Sequence, residues 1–516
     1  MSLNDLSSSS VKPHASLARA GSLSALFVMC GAGLAFAASL IVSNGVGAEG
    51  SGQFFSIVAL FAIATSTSVF GADTGLVRAV SAQRELADGT STRQLFGYAL
   101  GPVLLVSALI AAGTLLTGLW WPGFSVETRA AVCTAAPFVI LSAVMTLCFG
   151  VLRGRHRVIE FAGLQNLLLP SLRVVTLLVA VLMGGGLGLL AGAWSAPVLI
   201  VLGITVTWVL PELRKDTADL PMLPSRPHGS ASAAPEGSRS HFWAFSSARG
   251  FAALVETLLE WIDVLLIGVF LGPASAGVYG AVNRCVRVGV MVEHTARIVT
   301  GPSISSALTV GDLLRARRIF VTTTRLMLLL AWPFYITLAV YGTVILDVFG
   351  PAFSTGADVL WIICPAMMLA ASAGGVQSVL LMSGRSRWQL LNKCAALLTA
   401  ATLCVVMIPH WGLAGAGLAW ACAVMIDCGL AAYQVHTQVG LCPQAGEVIP
   451  AALLVLCIIG GGALLTLVVF GPSMSGLLLH LTLSGGLYAL LLVRFRRGLG
   501  LKRLRGRSRR EGRTDD

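Results

Sequence analysis

Apolar residues run in blocks of about twenty along nearly the whole chain, separated by short polar or glycine-rich breaks. The blocks fall at 22–43, 53–77, 95–119, 130–151, 164–184, 187–209, 244–271, 275–300, 322–348, 357–382, 390–409, 413–436, 449–470 and 474–493. A helix of this length matches the hydrocarbon thickness of a bilayer. Lipid offers a backbone polar group no partner, so each block is predicted to be a membrane helix. The seventh and eighth blocks are the least apolar. The expected fold class is an all-α integral membrane protein of about fourteen transmembrane helices.

A second pattern lies over the first. GAEGSGQF (47–54) is similar to GPASAGVY (272–279), matching Gly47 with Gly272, Gly52 with Gly277 and Phe54 with Tyr279. VLRGRHR (151–157) matches LMSGRSR (381–387), and GLGLLAGAW (186–194) matches GLAGAGLAW (412–420). The three matches keep chain order at a spacing of about 225 to 230 residues, which points to an internal repeat. Spans one to six form an N-terminal lobe (22–210) and spans seven to twelve a C-terminal lobe (244–437). The Pro-, Ser- and Gly-rich segment 211–243 reads as a linker between them. An even number of spans per lobe predicts a pseudo-two-fold axis along the membrane normal. Spans thirteen and fourteen (449–493) have no counterpart and form an appended hairpin. The 57 glycines suit close helix packing, and Pro170, Pro197, Pro333 and Pro365 are positioned to kink their spans.

Composition agrees: 56% of residues are hydrophobic and 11% charged. The net charge is +12, and Lys and Arg cluster in 151–157, 211–243, 315–318, 385–387 and the tail 494–516, whereas the opposite loops hold only Arg129. This asymmetry predicts both termini, 1–21 and 494–516, in the cytoplasm of a multi-pass cell (inner) membrane protein. The basic tail suits anionic lipid headgroups, and no nucleic-acid partner is expected. AFAAS, at the end of the first span, resembles a signal-peptidase site, but the long polar lead favours an uncleaved helix. The eleven cysteines lie mostly within the spans as small buried residues, without metal-ligand spacing.

No nucleotide-binding glycine loop, nucleophile elbow or HExxH motif is present, so no enzyme active site, catalytic residue, metal or cofactor is expected. The informative residues are ionisable groups inside the spans, where they are costly and face a cavity or a partner. Span seven carries Arg249, Glu256, Glu260 and Asp263; span eight carries Asn283, Arg284, Arg287, Glu293, His294 and Arg297. A hairpin turning near Pro273 sets Asp263 level with Asn283 and Arg284, Glu260 with Arg287, and Arg249 with Arg297 or Glu293. Glu256, Glu260 and Asp263 share one helix face by spacing. Two readings stay open: a self-neutralising structural seam, or groups lining an aqueous cleft. Arg173, deep in span five without an acidic neighbour, is the leading cavity cation. Arg284 and Arg287 are the next candidates, and Arg249 and Arg78 extend the set. Arg249, Arg297 and Arg325 lie near a span end and could snorkel. Asp73 and Arg78 close the second span at an interface. Arginine suits a phosphate-bearing ligand. Glu256, Glu260, Asp263 and Asp427 are the candidates for H+ or Na+ coupling.

From about residue 20 to 490 the chain resembles the polysaccharide transporters (O-antigen and exopolysaccharide flippases) of the multidrug/oligosaccharidyl-lipid/polysaccharide flippase superfamily. The resemblance rests on the span number, the repeat, NGVGAEGSGQF (44–54) and the glycine-rich entries to spans six and twelve. It implies movement of undecaprenyl-diphosphate-linked oligosaccharide from the cytoplasmic to the outer leaflet by alternating access. Its implied partners are a polysaccharide polymerase and glycosyltransferases. Multidrug exporters of the same superfamily usually carry an acidic residue in span one, which is absent here. The lipid II flippase carries arginine and aspartate there, also absent. A non-transporting assembly subunit would typically show a large outer loop, and none exceeds about ten residues.

Overall fold

The computed structural model describes residues 12–86, 91–214, 238–382, 386–440 and 445–495. Every regular element among them is helical. The start of the chain, most of the 211–243 linker and the basic tail beyond 495 lie outside the described residues. Ten stretches among the described residues are long and apolar enough to cross a membrane, and the chain is a multi-pass membrane protein. Two of the ten, Leu23–Val69 and Arg387–Val439, have 47 and 53 residues. Each breaks at one glycine, Gly47 (φ 68°) or Gly412 (φ 55°), a conformation that an L side chain rarely adopts. The seventh and eighth spans of the sequence pattern are helical but are not among the ten, in keeping with their charge.

The chain divides into two compact units, Met1–Gly268 and Val269–Asp516. The first unit begins with α1 (Lys12–Val69), α2 (Ala72–Leu86), α3 (Thr92–Trp120) and α4 (Val126–Gly154). α5 (Val158–Gly163) runs through a π-helical turn into α6 (Leu169–Leu182), followed by α7 (Leu187–Ser195) and α8 (Pro197–Arg214). α4 is its central post, packed against α1, α2, α3, α7 and α8. α9 (Arg239–Leu271) belongs to this unit through residue 268, although the repeat assigns it to the second lobe. Its backbone lies directly on the α1–α2 turn. A Cβ on Gly250 would come within 2.2 Å of the Phe70 carbonyl oxygen, and one on Gly71 within 2.3 Å of the Ser246 oxygen. Thr257 adds a hydroxyl contact to Ser66 at 3.2 Å.

The second unit comprises α10 (Pro273–Thr309), α11 (Leu313–Val340), α12 (Gly342–Asp347), α13 (Ala357–Ala373), α14 (Val376–Met382) and α15 (Ser386–Val439). The terminal hairpin follows as α16 (Ala445–Val455), α17 (Gly461–Phe470) and α18 (Met474–Phe495). α11 packs against α10, α13, α16 and α17. The 47–54 and 272–279 motifs have matching local structure. Gly47 and Gly272 both take positive φ (68° and 86°), and Gly52, Gly277, Phe54 and Tyr279 are all buried. The third motif does not match locally: Gly412 has φ 55° but Gly186 has φ −67°. Cys30 and Cys457 are exposed rather than buried, whereas Cys148, Cys285, Cys364 and Cys404 are buried.

Prolines inside helices define the remaining frame. A proline lacks the N–H that residue i−4 needs, so its carbonyl is left without a helical donor. Pro102 frees the Tyr98 carbonyl, and Trp243 of α9 donates Nε1–H to it at 3.1 Å. Pro197 frees Ala193, and Thr176 of α6 reaches that oxygen at 2.6 Å. Pro333 frees Leu329, and the Tyr488 hydroxyl of α18 donates to it at 2.7 Å. Pro170 frees Asn166, and Gly31 packs so close that a Cβ there would lie 2.3 Å from the Asn166 oxygen. In the first three cases the donor is a side chain of another helix, which satisfies the carbonyl without water.

Replacing Trp243 by Phe strands the Tyr98 carbonyl and is expected to destabilise the detergent-solubilised protein by about 1–3 kcal/mol. In a Pro102→Ala background, where Tyr98 regains an intrahelical donor, the same change should cost less than about 1 kcal/mol. Thermal unfolding of the four proteins measures the difference.

Candidate functional site

At the arginine-rich end of the first unit, VLRGRHR closes α4 and turns through His156, a non-glycine residue at φ 60°. Each of its arginines has a partner on a different element. Arg153 pairs with Asp73 of α2 at 2.6 Å and lies over the Phe161 ring. Arg155 pairs with Glu212 of α8 at 3.3 Å and donates to Thr92 of α3, which in turn donates to Gln83 of α2. Arg157 pairs with Glu160 and covers Trp208. This network ties α2, α3, α4, α5 and α8 together. Asp73 is thus one arm of it. Its counterpart in the second half, around 383–385, lies outside the described residues.

Arg173 is set by the α7–α8 break. Its Nε donates to the Trp194 carbonyl at 3.0 Å, and its guanidinium lies 3.9 Å from the centre of the Trp194 ring. Phe61 meets the same indole edge-on at 5.0 Å. The guanidinium is therefore oriented by one hydrogen bond and one aromatic face. Its two Nη groups make no hydrogen bond to the described residues. Arg78 is exposed on α2, over the ring of Phe245 at 4.5 Å, which joins it to α9 within the first unit.

The acidic run of α9 is not uniform. Glu256 and Glu260 are exposed, whereas Asp263 is 1% exposed and accepts the Val264 N–H at 2.8 Å. Arg249 is exposed near the start of the helix. In the second unit Arg284 is partly buried, and Arg287 donates Nε to Asn283 at 3.4 Å on its own helix. The side chains of Glu293, His294 and Arg297 lie outside the described residues. Glu260 and Asp263 lie in the first unit and Asn283, Arg284 and Arg287 in the second.

Arg325 does more than snorkel. It donates Nε to the Glu447 carbonyl at 2.5 Å, while Arg317 pairs with the Glu447 carboxylate at 3.2 Å. These contacts anchor the first turn of α16 to α11. Farther along, Tyr341 and Thr466 share a 2.7 Å hydroxyl contact, and Thr337 and His480 one of 3.1 Å.

Asp427 is the acidic candidate with the fullest environment. Its Oδ2 accepts from Lys393 Nζ at 2.6 Å and from Gln377 Nε2 at 2.5 Å. Asn392 and Gln434 exchange a reciprocal pair of amide hydrogen bonds at 2.9 and 2.8 Å between the two halves of α15. Lys393, Gln377, Asn392 and Gln434 were not singled out by the sequence reasoning. The available signal was one lysine inside the block 390–409, close enough to its end to pass for a snorkelling residue.

Comparison with known proteins adds three findings. A family model described as a polysaccharide biosynthesis protein matches residues 223–354. The "Probable low-salt glycan biosynthesis flippase" of Haloferax volcanii is 24% identical over 451 residues, covering 82% of this chain and 86% of that one. Among solved structures, the lipid II flippase MurJ in an inward closed conformation has a TM-score of 0.72 at 10% identity, covering 92% of this chain and 99% of its own. An inward-facing multidrug resistance transporter of the MATE family has a TM-score of 0.63 at 14% identity, covering 79% and 94%. The fold is that of these transporters.

Neutralising Asp73 and Arg153 singly and together should give a coupling energy of about 0.5–1 kcal/mol, because the pair is partly exposed. A double-mutant cycle on thermal stability reads it.

Proposed function

We propose that this chain belongs to the polysaccharide-transporter family of the multidrug/oligosaccharidyl-lipid/polysaccharide flippase superfamily and carries undecaprenyl-diphosphate-linked oligosaccharide from the cytoplasmic to the outer leaflet of the cell membrane. Glycan flippase activity is supported by the family description and by the relative's printed name; the lipid-linked cargo is the finer step. The observation that carries it is Arg173. Its guanidinium is oriented at span depth by a carbonyl and an indole, with its Nη edge turned to no described protein partner. Such a planar donor edge suits a phosphate oxygen pair.

Arg284 and Arg287 supply further cationic groups in the second unit, and Arg249 and Arg78 lie nearer the cytoplasmic face, where the diphosphate enters. The isoprenoid tail stays in the bilayer, so only the headgroup crosses through protein. Alternating access moves it. The termini face the cytoplasm, the basic tail rests on anionic lipid, and the glycan is made by glycosyltransferases on one side and extended by a polymerase on the other.

In proteoliposomes bearing a fluorescent undecaprenyl-diphosphate-linked sugar, Arg173→Gln, Arg284→Gln and Arg287→Gln should each weaken transport roughly ten- to hundredfold, from about 1.5–3 kcal/mol per charged hydrogen bond. The triple variant should insert normally and transport nothing. Wild-type transport by that triple variant would overturn the assignment.

A further inference from the structure

Gln377, Lys393 and Asp427 form a polar group around a buried carboxylate in the second unit. Asp427 is 6% exposed. Its Oδ2 takes both donors, while its Oδ1 is buried and has no hydrogen-bond partner among the described residues. The Lys393 side chain is 21% exposed, so the ammonium sits at the margin of the cluster and the carboxylate at its centre. Just before Gln377 the helix is broken: α13 ends at Gly374, with φ 68°, and α14 restarts at Val376. The Asn392–Gln434 amide pair stands beside it and uses its own donors and acceptors on itself.

The frame does not call for this cluster. Carried back by the 225 to 230 residues of the repeat, Gln377 falls within 147–152, Lys393 within 163–168 and Asp427 within 197–202, and none of these stretches holds a charged residue, although Gln165 and Asn166 are polar. The first unit therefore places no ion pair where the second does. Replacing a buried ion pair by apolar side chains is often neutral or stabilising, so stability alone gives no reason to keep it. What an ion pair offers is two charge states, and what a broken helix offers is a place to change them.

On the reading of the chain as a transporter, we infer that Asp427 is a proton site whose occupant alternates between the Lys393 ammonium and H+. With Lys393 in place the pair is neutral and complete. When the ammonium is drawn away, as by the phosphate of an incoming cargo, a bare buried carboxylate remains, which is costly. One proton then adds to Asp427 Oδ1, giving a neutral carboxylic acid, and Lys393 stays an ammonium throughout. When the ammonium returns, the O–H bond breaks and the proton leaves to the opposite side. One H+ crosses per cycle, and no oxidant or further ion is consumed. A metal cation fits less well than a proton. The Gln377 amide presents N–H to the carboxylate, and the Asn392 and Gln434 oxygens are engaged with each other, so few oxygen ligands remain.

The surroundings leave Lys393 as the partner that sets the charge. The helices packed most against α15 are α13 and α14. α14 carries no acidic or basic residue, and α13 carries Asp358, in its first turn, well away from Gln377. Cys364 of α13 is buried among apolar residues. On α15 itself Arg387, His410 and His436 lie one or more turns away along the helix.

Two measurements on the full chain test the inference. Infrared spectroscopy of purified Lys393→Met protein should show the C=O stretch of a protonated carboxylic acid that is absent from wild type, from Lys393→Arg and from the Lys393→Met/Asp427→Asn double variant. That double variant also keeps the charge balanced and reports folding. If Lys393→Met shows no protonated carboxyl, the inference is overturned, whatever the protein transports. In proteoliposomes with the same lipid-linked probe, an imposed pH gradient should change wild-type transport several-fold and a sodium gradient should not. Asp427→Asn should transport at a rate independent of either. Wild-type transport that ignores the pH gradient, or gradient dependence that survives in Asp427→Asn, overturns the proton site and leaves the flippase reading standing. Absence of probe transport by wild type counts against the flippase reading, and the infrared result still decides the site.

Discussion

A backbone carbonyl left without a donor in hydrocarbon costs several kcal/mol, and this chain creates such carbonyls repeatedly by placing proline inside its helices. Where each freed carbonyl finds its donor determines which helices are bound to which. Trp243 binds α9 to α3, Thr176 and Arg173 bind α6 to the α7–α8 break, and Tyr488 binds the terminal hairpin to α11. These links are directional, unlike the apolar contacts around them. Lipid tails match leucine in polarity, so contact area alone chooses between helix partners weakly. The prolines thus act as addresses, and the side chains that answer them assemble the units.

The same logic separates the charged residues into three arrangements. At the arginine-rich end of the first unit every loop arginine is neutralised by a carboxylate on another element, and the cluster fastens helix ends. Arg173 is different, because what holds it is a carbonyl and an aromatic ring, which orient a guanidinium without cancelling its charge. Its charge remains available at the position where the sequence places no acidic residue. Asp427 and Lys393 form a third arrangement, a neutral pair deep enough that either member is expensive without the other.

Much of this was legible in the sequence, for physical reasons that can be named. Span-length apolar blocks report helices because an α-helix satisfies its backbone within the segment and needs about twenty residues to cross lipid. The glycine match at Gly47 and Gly272 reported a shared backbone feature, since both residues occupy left-handed φ. What stayed hidden depended on partners far along the chain. Nothing near Trp243 shows that its indole serves the Tyr98 carbonyl, 145 residues earlier in the chain. Arg173 reads as an unpartnered cation because its partners are a carbonyl exposed by a helix break and a ring more than twenty residues away. Lys393 escaped notice since a single lysine in an apolar block looks like a residue reaching for the interface, and only the fold shows Asp427 at its tip.

The contact between Tyr488 and Leu329 joins residues 159 positions apart, and that separation has a bearing on how the protein is made. α11 enters the bilayer long before α18 has been synthesised, with its proline already in place and one carbonyl open. Until the final helix arrives, the second unit is a partly finished object, held by apolar packing but short of a donor at its central post. A chain that stops early, or whose last hairpin fails to insert, would carry that defect permanently. The second unit's central post is thus completed only once α18 has been made, by a side chain synthesised 159 residues after the carbonyl it serves.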